Sequence, residues 1–92
     1  MRVTYNPIKR ATTLDGRGLD FKRAREVFNG PNLTDLDERK DYREPRYITV
    51  GWLDARLVIV AWTPRRRTRR IISTRKANER EIQKYSPRLA GS

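Results

Sequence analysis

Seven basic residues and no acid lie between residues 63 and 76, in the run TPRRRTRRIISTRK. They are Arg65, Arg66, Arg67, Arg69, Arg70, Arg75 and Lys76. Each guanidinium is permanently charged and presents a planar fork of N–H donors, a shape that takes two oxygens of a phosphate at once. Ile71 and Ile72 sit inside the run. β-Branched residues there mark a strand of folded sheet, since a solvated basic tail has no use for them. The run reads as an arginine-dense strand and turn that offers a surface to a polyanion.

Proton chemistry is more restricted. The chain has no His, which removes imidazole as general base, nucleophile partner or zinc ligand, and no Cys, which removes thiolates and disulfides. What remains is charge stabilisation by fixed cations, with carboxylates and phenols to exchange protons. Glu81 and Tyr85 lie one short helix beyond the basic strand. Glu81 also stands three residues after Asn78, the spacing of a capping box, so it has a structural reading beside the chemical one. Tyr85 either relays a proton or packs beside Ile82 on the same helix face. Glu44 and Arg46 read as site residues or as a structural ion pair. Tyr42, Tyr47, Trp52 and Trp62 could stack on bases. Trp52 and Trp62 alternate within apolar strands and fit a core better, which leaves Tyr42, in a polar loop, as the exposed one. Asp35, Asp37 and Asp41 lack the glycine and closing glutamate of a calcium loop, so neither a metal nor a cofactor is expected.

The elements that must position these groups belong to one small domain of 92 residues. With 22 Lys and Arg against 11 Asp and Glu, the net charge is +11 and the expected partner is anionic. A membrane is not expected: no apolar run is long enough to span one, and no basic amphipathic helix carries bulky apolar residues. The opening residues read as a strand rather than a signal peptide, and the absence of Cys suits the cytoplasm.

Arg2–Tyr5 reads as a short strand. Asn6 is a good N-cap, and Pro7 fits the first helical position, where a missing N–H costs nothing. Ile8, Ala11 and Leu14 recur at helical spacing and should face the core, until Gly16-Arg17-Gly18 ends the helix. Asp20 caps a second helix over residues 21–28, with Phe21, Ala24, Val27 and Phe28 as its apolar stripe. Residues 33–36 read as a short edge strand, followed by an acidic loop. Tyr47–Leu53 and residues 56–63 form an antiparallel hairpin around Asp54-Ala55. The continuous run LVIVAW suits a central strand covered on both faces. A turn over residues 64–67 leads to a last strand, 69–75. Its alternation sends Arg70, Ile72 and Thr74 one way and Ile71, Ser73 and Arg75 the other. Asn78 caps a final helix over 79–85, which Ser86-Pro87 stops. The expected domain is 1–86, with 87–92 a frayed tail. The order β-α-α-β-β-β-α describes a small α+β domain, an antiparallel meander with helices packed on one face of the sheet.

Taken in order, YNPIK, LDFKRAREVF, DYREPRYITVG and RRIISTRKANEREIQKY resemble the BrnT family of type II toxins. The family pattern is roughly an aromatic-Asp-Pro-x-Lys opening, a Lys-His-Gly helix end and Phe-x-x-Ala-x-x-Val-Phe. It continues with Glu-x-Arg-aromatic ahead of a strand ending in Gly, then Arg-Ile-Ile-Ser-Ala-Arg with a downstream Glu and Tyr. The likeness runs from Tyr5 to Tyr85, and it is the order and spacing that make it specific. The chain departs from it in three places. Asn6 replaces the opening Asp, Thr74 replaces the usual Ala, and Gly16-Arg17-Gly18 stands where the family has Lys-His-Gly, so the His is lost.

The resemblance implies a compact RelE-like fold and a ribonuclease toxin. It also implies an acidic antitoxin whose ribbon-helix-helix domain dimerises and binds operator DNA. The family's Arg-Ile-Ile-Ser-x-Arg falls on Arg70, Ile71, Ile72, Ser73 and Arg75. Its Glu and Tyr fall on Glu81 and Tyr85, its Glu-x-Arg on Glu44 and Arg46, and its opening Lys on Lys9. The expected catalytic set is then Arg70, Arg75, Glu81 and Tyr85: arginines for the phosphorane charge, Glu81 and Tyr85 for the protons. Lys9, Arg17, Arg46, Arg65, Arg66, Arg67, Arg69 and Lys76 would hold RNA phosphates. Arg17 can do no more than that, because it cannot exchange protons near neutral pH. The function expected is a metal-independent cytoplasmic endoribonuclease that inhibits translation, acting on bare RNA or on messenger in the ribosomal A site. The rival is a non-catalytic module that binds nucleic acid or antitoxin.

Overall fold

A computed structural model describes residues 2–90, the side chain of Ala90 excepted. The elements are β1 (Arg2–Tyr5), α1 (Pro7–Arg17), a 3₁₀ turn (Phe21–Arg23), α2 (Ala24–Asn29) and β2 (Asn32–Leu36). Then come β3 (Tyr47–Leu53), β4 (Arg56–Arg65), β5 (Thr68–Lys76) and α3 (Glu79–Ala90). The sheet order is β1-β5-β4-β3-β2. β2 to β5 form the expected antiparallel meander, with β2 at the edge. β1 returns parallel to β5, from Arg2 against Thr68 to Tyr5 against Ile71, so the basic strand lies inside the sheet.

The hairpin between β3 and β4 turns at Asp54 and Ala55, whose φ values of 52° and 60° are those of a type I′ turn. Neither is glycine, so this backbone costs about 1–2 kcal/mol per residue. Arg23 holds it by donating to both carboxylate oxygens of Asp54. Gly51, opposite Val58, leaves room for α2: a Cβ there would stand 2.8 Å from Val27 Cγ1 and 3.2 Å from the Pro31 carbonyl oxygen.

Helices cover both faces of the sheet, not one as expected. On the first face Leu19, Phe21, Ala24 and Val27 bury Leu53, Val58, Val60 and Ile71. On the second, Leu89 and Tyr85 of α3 close over Val50, Leu57 and Ile59. The apolar run in β4 requires this, because its successive residues point to opposite sides.

Two helix expectations are overturned. The α1 cap is as read: Asn6 Oδ1 accepts from the Ile8 and Lys9 N–H groups, and Gly18 closes the helix with φ 68°. Yet Ile8, Ala11 and Leu14 face solvent, and no residue of α1 is buried. Arg10 pairs with Asp20 at 2.7 and 3.0 Å and Arg17 donates to the Thr74 carbonyl oxygen at 3.1 Å, so the polar side is drawn inward. The second correction concerns α3, which does not stop at Ser86-Pro87 but runs to Ala90 with Pro87 inside it. An internal proline costs about 3 kcal/mol. Burying Leu89, at 3% exposure, returns roughly 1.5–3 kcal/mol. Among the described residues no helix is long and apolar enough to cross a membrane.

Candidate nucleic-acid interface

β4 and β5 carry a register shift at Ala61 and Trp62: Ala61 lies opposite Ser73, but Trp62 lies opposite Ile71. Ile72 is the extra residue of a β-bulge and breaks the expected alternation. As a result Arg70, against Thr63, and Arg75, against Ile59, share the second face, while Ile71 and Thr74 go into the first-face core. α3 covers the part of this face that holds Val50, Leu57 and Ile59. The end that carries Arg70 is bordered instead by the loop of residues 37–46, tied down where Thr63 Oγ1 donates to the Pro45 carbonyl oxygen at 2.6 Å.

Arg75 donates to both carboxylate oxygens of Glu81, at 2.7 and 2.8 Å. Glu81 also completes the capping box, accepting from the Asn78 N–H at 2.9 Å while its own N–H donates to Asn78 Oδ1 at 2.8 Å. Glu81 therefore caps α3, as its structural reading expects, and is at the same time the ion-pair partner of Arg75. The Arg75 hydrogen bonds hold its carboxyl below the usual range, and Glu81 in turn raises Arg75. The charge of Arg39 acts on both, which places the loop beside this pair.

Sequence reasoning missed Arg39. Its guanidinium is fixed by the buried Asp37, which accepts Nε at 2.9 Å and Nη2 at 3.0 Å, then the Arg39 N–H at 3.2 Å. Tyr42 donates to the same carboxylate at 3.3 Å. Asp37 is held well below its ordinary value, chiefly by the Arg39 hydrogen bonds. The sequence signal was only an Asp and an Arg two apart in an acidic loop, a pattern with no regular period. Tyr42 is half-buried rather than exposed, with the Arg46 guanidinium 4.0 Å above its ring. Arg46 does not pair with Glu44. Glu44 takes both donors of Arg65 and feels the charges of Arg46 and Arg70, all of which lower its pKa. Arg46 Nε is buried with no protein partner among the described residues.

The other candidate residues are spread wider. Arg17 lies at the end of α1 and, with Gly16, Arg75 and Lys76, lines a hollow of about 400 Å³. Lys9 is exposed on α1, and Arg66 and Arg67 are exposed in the turn after β4. Arg69 is on the opposite face, 4.3 Å from the Phe28 ring and 5.1 Å from that of Trp62. Tyr85 is half-buried against the α3 core, with Lys84 Nζ 5.1 Å from its ring, while Ile82 is turned out. Trp62 donates to Thr49 Oγ1 at 2.8 Å and stacks on Tyr47, so both are engaged within the domain.

The result is a cationic surface: Arg70 and Arg75 on one face of β5, Arg39 and Arg46 in the loop that borders it, and Arg17 and Lys76 at its margin. A family model described as the ribonuclease toxin BrnT of type II toxin-antitoxin systems matches residues 5–81. No curated protein matches the chain.

Proposed function

The chain belongs to the BrnT family of type II ribonuclease toxins, and from that premise we propose a RelE-like endoribonuclease that cuts RNA in the cytoplasm and so inhibits translation. The observation that carries the reading is the placement of Arg70 and Arg75 on one face, with Arg39 and Arg46 beside them. A phosphate there meets fixed donors that need no reorganisation as charge develops on the phosphorane. In the proposed step the ribose 2′ oxygen attacks phosphorus, its proton passes to the Glu81 carboxylate, and the bond to the 5′ oxygen breaks. Tyr85 protonates that leaving oxygen, which leaves a 2′,3′-cyclic phosphate. No metal takes part: the charge is met by guanidiniums, and the nearest acids, Asp37, Glu44 and Glu81, are each engaged by an arginine. The partner that silences it is an acidic antitoxin with a ribbon-helix-helix domain that binds operator DNA. The messenger is cut bare or in the ribosomal A site.

A second reading has its own observation. Glu81 is saturated by Arg75 and Asn78 and is a weakened base, and Arg17 stands where the family has His. A surface with strong phosphate binding but poor proton transfer suits a toxin-like protein kept for binding. Induced expression of the chain, beside Arg75→Ala, separates the two. Growth arrest with decay of total RNA, relieved by the substitution, supports the ribonuclease. Normal growth from folded protein that still binds RNA supports the binding module.

A further inference from the structure

We propose that the outward face of α1 is the docking surface for an apolar and acidic segment of the antitoxin. This rests on the toxin–antitoxin reading and adds to it the surface that is used. Ile8 is 77% exposed and Leu14 42%, with Pro7 and Ala11 exposed on the same stripe. The apolar side of the helix faces water, although helices of a small domain ordinarily bury that side. Its orientation is fixed. Turning Ile8 and Leu14 inward would break the two-point bond of Arg10 to Asp20 and pull Arg17 off the Thr74 carbonyl.

The charge selects the occupant. Two chains of net charge +11 repel, and exposed Lys9 sits beside Ile8, so a second copy is disfavoured and an acidic partner is drawn in. The stripe also leads somewhere. At the C-terminal end of α1 it meets a hollow of about 380 Å³ whose lining includes Leu14, Leu19, Leu53 and Arg56. The acids of that lining, Asp20 and Asp54, are already held by Arg10 and Arg23. Beyond the helix end is the hollow of Arg17, Arg75 and Lys76. An amphipathic segment anchored on Ile8 and Leu14 carries its carboxylates onto these cations, in the manner of a helix laid in a groove. One partner then covers the stripe and the margin of the phosphate surface together.

The test uses the full chain and its cognate antitoxin, purified after co-expression, with affinity read by calorimetry and RNA affinity read separately. Ile8→Glu with Leu14→Glu should weaken antitoxin binding by about 100-fold or more, as loss of apolar anchors does. Ile8→Ser with Leu14→Ser, which adds no charge, should weaken it less. Both exchanges are at exposed positions, and in the Ser pair, which adds no charge beside Lys9, RNA affinity should stay at the parent value. Antitoxin affinity unchanged in both variants overturns the proposal, as does an antitoxin that does not bind the parent chain. A parent dimer in sedimentation that the exchanges dissociate also overturns it, in favour of a second copy. A chain that binds antitoxin as described but leaves RNA uncut contradicts the ribonuclease reading and leaves this surface standing.

Discussion

Arg70 and Arg75 stand on the same face of β5, one opposite Thr63 and the other opposite Ile59. An odd step along a regular strand would put them on opposite faces. Ile72 absorbs that step as a bulge, so one strand supplies two guanidiniums to one surface and still sends Ile71 and Thr74 into the core.

Removing either arginine should therefore slow RNA cleavage by about 100–1,000-fold, the usual cost of losing one preorganised donor. Each loss of a phosphate contact should also reduce the slope of log affinity against log salt by about 0.7 for single-stranded RNA. Equal slopes for the parent and Arg70→Ala, in fluorescence anisotropy titrations, would remove Arg70 from the interface.

Deleting Ile72 makes a second test of the bulge. The shortened strand would be regular, and Arg70 and Arg75, now an even number of positions apart, would still share a face. The deleted protein should fold and bind RNA nearly as the parent does. Circular dichroism and anisotropy check this, and an unfolded product would show that Ile72 carries packing of its own.

Acid should loosen the border of the surface. Glu81 and Asp37 have folded pKa values below their ordinary 4.5 and 3.8, held there first by Arg75 and Arg39. Their contribution to stability is complete above those ordinary values. It declines as pH falls below them and is gone once pH has passed below the lowered folded values. Thermal melts between pH 7 and pH 2.5 should show the parent losing more than Asp37→Asn over that window. Parallel curves would sink the assignment.

Two arginines on opposite sides of the sheet should differ in RNA binding. Arg69→Ala removes the cation over Phe28 and Trp62 and should cost about 0.5–2 kcal/mol of stability, with RNA affinity nearly unchanged. Arg39→Ala should weaken RNA binding, and because it leaves the buried Asp37 carboxylate without its guanidinium it should lower the melting temperature as well. A reversed pattern would place the interface on the other face.

Leu89 should prove part of the core. Leu89→Ala is expected to cost about 2–5 kcal/mol, read by denaturant unfolding, because the residue is buried against Val50, Leu57 and Ile59. A change near zero would mean that the last turn of α3 does not dock.

The sequence by itself determined the α+β order, the meander, the Asn6 cap, the hairpin at Asp54-Ala55 and the family. Each of these is written in neighbouring residues: a cap and its proline, a two-residue turn, a period of two or of 3.6. The arginine run was also plain, since charge density needs no fold to be counted. Only the tertiary structure decided which arginines share a surface. The bulge at Ile72 depends on how β5 registers against β4, and the cation of Arg39 depends on a buried Asp37 in an aperiodic loop. The same holds for α1, whose apolar stripe turned outward because Asp20, just past the helix end, and the Thr74 carbonyl, far along the chain, hold its other side. Local pattern states which side of an element is apolar. The partners available across the fold decide which side is buried.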